Sequence, residues 1–572
     1  MADQDALESL ICTQRRVKCQ MRFFGHLIKG EISKPVQGRT SFFPDMNKAI
    51  GEPRLLFAMA LREQGSFSRF VARYFSNQLP SGVPEVRLLK DYIKAHGYPK
   101  ATKDEIEELM FAEYAIGGAK EAAEACEEAH SIRHLMHKEY HEKGNGLTLK
   151  ERAESLIKVG QVLWKHYDDF KEIGIAEGTP IKLFDWQTKG VFNTLYKDHI
   201  DFASSKLEAR EIPSATKGER TILTRYPFGA VGIFPPYNAA IGLGGMAIIS
   251  SYWAGNATVT RTPSKMPLTN MELAYVLAEA MTELDFPLSA FQSVIGPARS
   301  IAQYMVNDSP LNAMVYYGDS DIGLELMAQA VKRGLHFIPE LAGSGASLVW
   351  KDVDIDKVAD FVTHARFFGS GQICLAAKRL FLHESIYDDF IKALVEKSQK
   401  LKVGLPAESE TDLPILGARA LYQNIDMIRE ALSKGAILET GGYRLNAYDE
   451  RDESGLFYKP TVLSDVPLDC RMWYHETFGP VLPVMRIRSF EEAIRQANNS
   501  PYGLRASVYS DDPQIWQRFF DEIEAPGIAV NTDHLHFDDY YPHLGGLKTS
   551  GVFGGKYFYE ILTYLKYMHL PA

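Results

Sequence analysis

Ala230-Val-Gly-Ile-Phe234, Ala257-Thr-Val-Thr260, Ser293-Val-Ile295 and Ala313-Met-Val-Tyr-Tyr317 are short, uncharged runs, each followed by a stretch with helical spacing of its apolar residues. Runs of this length suit strands buried on both faces. Strand and helix in regular alternation predict an α/β chain built on a doubly wound parallel sheet, with ligands at the carboxyl ends of the strands. A second alternation starts after Glu340: Ser347-Leu-Val-Trp350, a helix over 354–370, Arg379-Leu-Phe-Leu382 and a helix over 385–400. A second α/β unit follows, with the junction near Glu340 to Gly345.

Ahead of residue 225 the chain is mostly helical. A short helix is expected within the first forty residues, and strand material at 22–28. Residues 52–117 are expected to be helical, with helical apolar spacing from Arg54 to Phe75 and a capping box at Thr102-Lys-Asp-Glu105. Further helices are expected over 120–141 and 148–170, the latter with Thr148 as N-cap. Gly242-Leu-Gly-Gly245 lacks the spacing of a phosphate loop and reads as small-residue packing within a helix.

The chain has 572 residues and a formal net charge of −10. That length allows several domains. The acidic balance argues against nucleic acid or an anionic membrane as the main partner. The first residues, MADQDALESL, lack a basic segment and an apolar core, so no secretory signal is expected. The most apolar stretch, 239–259, is broken by Gly, Ser and Asn, so no membrane span is expected. Cysteines stand at 12, 19, 126, 374 and 470 without a C-x-x-C pair, which fits a reducing cytoplasm. Asp533-His-Leu-His536 with Phe537-Asp-Asp539 is a weak metal pattern, and no metal is expected.

Cys374 lies in Gly371-Gln-Ile-Cys374, after a helix-like run. A thiol on a Gly-rich turn beside backbone N–H groups can have a lowered pKa and act as a nucleophile. Glu340 ends Phe337-Ile-Pro-Glu340 among apolar and small residues, the setting for a carboxyl with raised pKa and general-base work.

Together these residues resemble the aldehyde dehydrogenase superfamily. Its Glu-Leu-Gly-Gly and Gly-Gln-x-Cys appear as Glu340-Leu-Ala-Gly343 and Gly371-Gln-Ile-Cys374. Pro236-Tyr-Asn238 stands for its Pro-Trp-Asn. Ala254-Gly-Asn256 and Arg261-Thr-Pro-Ser264 match Ala-Gly-Asn and Lys-Pro-Ser/Ala. Tyr316-Tyr-Gly-Asp-Ser-Asp-Ile-Gly323 loosely matches Phe-Thr-Gly-Ser-x-x-x-Gly. Glu476-Thr-Phe-Gly-Pro480, Asn498-Asn-Ser-Pro-Tyr-Gly-Leu504 and Gly545-Gly-Leu-Lys-Thr-Ser-Gly551 complete the set. Each is weak alone, but their common order over residues 230–551 is specific.

The resemblance implies the aldehyde dehydrogenase-like fold: a Rossmann-like cofactor domain (1–206 and 227–340), a second α/β catalytic domain (341–530), and an oligomerisation arm (207–226 and 531–572). It implies that Cys374 attacks the aldehyde, that Asn238 and a backbone N–H hold the oxyanion, and that Glu340 activates water against the thioacyl enzyme. Pro236, Arg261, Ser264, Gly318, Ser320, Gly323, Glu476 and Phe478 are the implied cofactor-binding residues. It implies a homodimer or homotetramer built through the arm.

The departures matter. Arg261 replaces a lysine, Thr262 stands in the proline slot, and Tyr237 replaces Trp. Ser264 and Lys265 stand where a carboxylate would exclude a 2′-phosphate, so NADP or dual use is favoured over NAD alone. Asp319 would repel a pyrophosphate, leaving Ser320 to stand in. Surplus residues over 45–116 form a helical insert, expected to decorate the cofactor cleft or an oligomer surface, or to act as a lid or partner site. His534, His536, Phe537, Tyr540 and Tyr541 are expected to line an aromatic or amphipathic substrate mouth. Two alternatives stand beside hydrolytic oxidation: a coenzyme A-acylating enzyme, disfavoured by retention of Glu340, and a non-catalytic scaffold on the same fold, disfavoured by the intact residues above.

Overall fold

The computed structural model describes residues 21–35, 40–62, 84–137, 146–192, 195–535, 543–551 and 556–571. The short helix expected near the start lies outside these residues. So do His536, Phe537, Tyr540 and Tyr541.

Two seven-stranded sheets organise the chain. The first runs His336–Glu340, Ala313–Tyr317, Ala230–Phe234, Ala257–Arg261, Phe291–Val294, His26–Ile28, Glu31–Ser33. Its first five strands are parallel, and the last two add antiparallel. Ala230–Phe234 comes first in sequence among the parallel strands, and the chain then builds outward on both sides of it. The order therefore reverses between it and Ala313–Tyr317, which opens a crevice at their carboxyl ends. Each of the strands Ala230–Phe234, Ala257–Arg261 and Ala313–Tyr317 is buried throughout.

The second sheet runs Ile437–Thr440, Thr461–Ser464, Val481–Ile487, Ala377–His383, Gly345–Val349, Arg505–Tyr509, Gly527–Val530. The chain passes from the edge strand of the first sheet, ending at Glu340, to a central strand of the second, starting at Gly345, within four residues. The carboxyl end of the first sheet and the amino end of the second therefore meet at one seam.

Helix Gly242–Ala254 is buried along its length. A Cβ on Gly244 would lie 2.9 Å from the Pro235 side chain, so the glycine run serves close packing, as expected. Gly255 ends the helix at φ 95°, a conformation glycine adopts without strain. Buried Asn256 then accepts from the Gly229 N–H and donates to the carbonyls of Ser251 and Leu562. Its motif is a structural tie between the first sheet and the C-terminal strand.

That strand, Thr563–Leu570, pairs antiparallel with Arg220–Pro227, which pairs with Arg210–Ile212. Thr563–Leu570 is an edge, and Leu565 and Tyr567 on it are 55% and 67% exposed. Residues 543–551 of the expected arm instead return to the seam. Leu547–Lys548 pairs with Tyr502–Gly503, and the Leu341 N–H donates to the Ser550 carbonyl.

The insert departs from an all-helical reading. Helices Pro53–Arg62, Pro84–His96 and Lys103–Leu109 form, the last on the expected Thr102/Glu105 capping box. Residues 110–115, expected to be helical, form strand Met110–Ala115 between Arg22–Phe24 and Thr40–Pro44. Sequence-distant pairing overrode local preference there. Leu56, Phe57, Leu88 and Leu109 share a buried core with Leu421, Ile425 and Phe457, so the insert packs against the second sheet's side of the molecule. The helix expected over 120–141 ends at Ile132. The one expected over 148–170 divides into Leu149–Lys165 and Tyr167–Ala176 at His166.

Helix Pro267–Glu283 is capped from outside. Buried Glu177 accepts from the Leu268 N–H at 2.6 Å and the Thr269 N–H at 3.0 Å. Burial pushes its carboxyl up from 4.5 to about 7, against the pull of those donors. Between those two values the folded state holds the proton more tightly than the unfolded chain. The Glu177 contribution is thus complete below about pH 4.5 and is lost as pH rises through about 7. We predict that the Tm difference between wild type and Glu177→Gln moves in the variant's favour across this window and is flat above it. A pH-independent difference would show that Glu177 does not ionise there.

Candidate active site

The loop carrying Cys374 leaves helix Ile355–Phe367 through Gly369, Ser370 and Gly371, with φ of 59°, 56° and 65°. A left-handed run of this kind is strained for a residue with a side chain. The Ser370 hydroxyl offsets part of that cost by donating to the Pro414 carbonyl at 2.6 Å. Position 371 must be glycine, because a Cβ there would lie 2.8 Å from the carbonyls of Arg366 and Gly479. The turn sets Cys374 ahead of strand Ala377–His383.

Cys374 faces two spaces. One is a cavity of about 580 Å³, also lined by Asn238, Glu340, Glu476 and Phe478. The other is a narrow apolar passage of about 30 Å³ lined by Trp186, Leu243, Met246, Ile373 and Leu375. Asn238 lines both.

Electrostatics correct one expectation. Burial, and then the Glu340 carboxylate, push the thiol pKa up to about 12, against the smaller downward pull of the Lys378 ammonium and the Leu375 N–H. Removing the charged form from water outweighs the local dipoles. Burial likewise pushes Glu340 up to about 8, although its carboxylate accepts from the Gly545 N–H at 2.7 Å. The resting site holds a neutral thiol beside a carboxyl whose raised pKa suits proton transfer near neutrality.

Asn238 sits on a short 3-10 turn, Tyr237–Ala239, beyond strand Ala230–Phe234. Its side-chain amide donates to the Gln372 carbonyl at 2.8 Å, and its own carbonyl accepts from Gln187 at 2.8 Å. The amide is thereby fixed against the loop carrying Cys374.

Two buried cations hold the site and were not singled out from sequence. Lys378 donates to the carbonyls of Gly343 at 2.8 Å and Cys374 at 3.0 Å, and to the Glu476 carboxylate. Arg366 donates to the carbonyls of Thr477, Gly479 and Val481. Burial lowers the pKa of both. The available signal was a lysine inside an otherwise strand-forming run, four residues after the nucleophile: a buried charge needs a partner.

The remaining expected residues divide. Pro236, Arg261, Ser264, Gly318, Ser320, Glu476 and Phe478 line the 580 Å³ cavity. Arg261 is only 6% exposed, with its guanidinium on the Gly296 carbonyl and the Ser264 hydroxyl. Gly323 is not among the lining residues; a Cβ on it would lie 2.3 Å from Leu341. Its role is helix-to-strand packing. The Ser320 hydroxyl donates to the Thr549 carbonyl at 2.8 Å. Asp319 takes the N-cap of helix Ser320–Arg333, accepting from the N–H groups of Asp321 and Ile322. Its carboxylate is 3.6 Å from Arg419, a further lining residue. Lys265, also lining, has its ammonium 4.3 Å over the Tyr237 ring.

His534 does not line a substrate mouth. It is fully buried, its Nε2 lies 2.7 Å from the Leu375 carbonyl, and burial lowers its pKa to about 3. Asp533 pairs with His364 at 2.7 Å. Among the described residues no three His, Cys, Asp or Glu side chains gather as a metal ion would need, and no helix is long and apolar enough to cross a membrane.

Comparison with known proteins gives one consistent answer. The model of the aldehyde dehydrogenase family matches residues 95–569. The chain is 29% identical over 419 residues to 3-sulfolactaldehyde dehydrogenase of Priestia megaterium, covering 72% of this chain and 84% of that one. It is 30% identical over 402 residues to alpha-ketoglutarate semialdehyde dehydrogenase of Haloferax volcanii, covering 70% and 81%. It resembles the crystal structure of glyceraldehyde-3-phosphate dehydrogenase GapN from Methanocaldococcus jannaschii complexed with NADP, with 26% identity, a TM-score of 0.73, and coverage of 81% and 97%. Set beside a thiol, a carboxyl and an amide gathered where the carboxyl end of the first sheet meets the amino end of the second, these matches place the chain in the aldehyde dehydrogenase family, as an NAD(P)-dependent enzyme that oxidises an aldehyde to an acid.

Proposed function

We propose that Cys374 carries the reaction as a covalent nucleophile, with Glu340 as the base and Asn238 in the oxyanion hole. The observation that carries this reading is the position of Cys374 between the large cavity and the narrow apolar passage, with the other two residues beside it. The aldehyde approaches through the passage and the cofactor occupies the cavity.

The donor set fits a nicotinamide dinucleotide. Lys265 and Arg419 offer cations for phosphates, the Glu476 carboxylate can accept from ribose hydroxyls, and Phe478 offers an apolar face. The cavity volume lies within the usual range for small-molecule sites. Ser264, Lys265 and Arg261 leave no carboxylate at the position that would exclude a 2′-phosphate, which favours NADP or use of both cofactors. Asp319, not a ligand group, caps the adjacent helix, so phosphate binding falls to the cations.

As the Cys374 sulfur bonds to the carbonyl carbon, the thiol proton is lost to solvent water and the carbonyl electron pair moves onto oxygen. The Asn238 amide and the Cys374 N–H stabilise that oxyanion. When bound, the nicotinamide supplies the acceptor for the hydrogen that leaves this carbon with its electron pair. Glu340 then takes a proton from water as the water oxygen attacks the thioester. The C–S bond breaks, the acid leaves, and the thiol regains its proton. Water is the acyl acceptor, so coenzyme A has no part. The unpaired thiols of Cys126, Cys374 and Cys470 fit a reducing, cytoplasmic setting. The exposed edge Thr563–Leu570 fits assembly into a homodimer or homotetramer by extension of the sheet.

Three outcomes test this. Cys374→Ala should bind NADP or NAD normally yet lose reduced-cofactor formation by at least about 10³-fold across an aldehyde panel. Residual turnover near wild type would remove Cys374 from the chemistry. Wild-type steady-state rate should rise with pH through about 8, because Glu340 works only after losing its proton. Glu340→Gln should lose that limb and give one burst of reduced cofactor per site, followed by turnover about 10²- to 10⁴-fold slower. Equal slowing of burst and steady state, or rescue by coenzyme A, would contradict the hydrolytic role. Sedimentation of a Leu565→Glu, Tyr567→Glu variant should show monomers where wild type shows a closed oligomer; an unchanged oligomer would clear this edge of the role.

A further inference from the structure

Helix Ala418–Ser433 forms one wall of the cofactor cavity, through Arg419, Ala420 and Gln423. Its adjacent face is gripped by the insert. Asp91, on helix Pro84–His96, accepts from the Tyr422 hydroxyl at 2.6 Å and from Arg444 at 2.8 Å. Arg87, one turn earlier, lies 4.1 Å over the Tyr422 ring and 3.6 Å from Asp426. The two helices thus meet through an i, i+4 pair on each, with charges of opposite sign facing one another. Arg444 is itself buried and fastened to the carbonyls of Ser454 and Gly455, so Asp91 is tied to a fixed point and not to a mobile side chain.

The start of the same helix is tied to the nucleophile loop. Gln372 donates to the Ile415 carbonyl at 2.9 Å and accepts from the Gly417 N–H at 3.4 Å. Upstream, the Ala407 N–H donates to the Asn47 side chain at 2.9 Å, so the insert also holds the segment leading into the helix. Arg419 and Gln423 therefore stand on a helix whose position depends on residues outside the parallel sheets.

We propose that the insert is a brace for the cofactor wall, in which Asp91 acts as a positioning residue: by holding Tyr422 and Arg444 it sets where Arg419 and Gln423 meet the dinucleotide, and so sets cofactor affinity. The inference rests on the reading of this cavity as the cofactor site. A displacement of about an ångström in a binding wall is enough to weaken a ligand held by directional contacts. Asp91 touches neither the cavity nor the chemistry, so its loss acts on binding and spares turnover once cofactor saturates.

The test is titration of full-length wild type, Asp91→Asn and Tyr422→Phe with NADP and NAD, alongside steady-state kinetics with cofactor varied. Asp91→Asn keeps the side-chain shape and removes its charge. It should raise cofactor Kd and KM together by about five- to ten-fold, with kcat at saturating cofactor within about two-fold of wild type. Tyr422→Phe, a milder change, should raise Kd about two- to three-fold, and the double variant should fall short of the product of the two effects. Unchanged Kd in Asp91→Asn, or a fall in kcat with KM unchanged, would overturn the brace while leaving the cofactor site intact. Failure of wild type to bind either nucleotide would overturn both.

Discussion

The site depends on a lysine ammonium out of contact with water. Lys378 has no exposed side-chain surface, and its donors are shared among Gly343, Cys374 and Glu476. These belong to three segments far apart in the chain: the turn after Glu340, the loop carrying Cys374, and the loop carrying Glu476. A buried charge without partners would cost several kcal/mol, so the three segments are held together by the need to satisfy it. Arg366 makes the same demand on the Thr477 to Val481 backbone. Cys374 and the loops around it are thereby placed from beneath.

Close backbone approach completes this arrangement. Gly343 leaves no room for a Cβ against the Cys374 carbonyl, and Gly371 leaves none against Gly479. The loops carrying Gly343, Cys374 and Gly479 are in mutual contact at the seam of the two sheets. The dryness that results is what raises the Glu340 and Cys374 pKa values together. Fold stability and acid–base chemistry here share one cause, exclusion of water from polar groups.

The insert adds to this frame from outside. It shares its core with the second sheet's side and grips the helix bearing Arg419 and Gln423. Strand Met110–Ala115 links it back to the N-terminal strands. A segment with no counterpart in the motif pattern thus has contacts to both halves of the seam.

Much of this was legible in the sequence. The buried strands announced themselves as short uncharged runs at 230–234, 257–260 and 313–317, because a strand covered on both faces admits little else. The capping box at Thr102 and the N-cap at Thr148 were local, and local chemistry alone forms them. Ordered motifs pointed to Cys374, Glu340, Asn238, Glu476 and Phe478, which meet at one cavity. Tertiary structure decided what depends on distant partners. Residues 110–115 became a strand because two others lay alongside, and Lys378 and Arg366 gained their roles from carbonyls elsewhere in the chain. Gly323 turned out to serve packing, Ser320 to bond Thr549, His534 to be buried, and the Cys374 thiol to be raised and not lowered. Sequence pattern reports what each segment can form by itself. Burial, and with it every pKa and partner in this site, is a property of segments brought together.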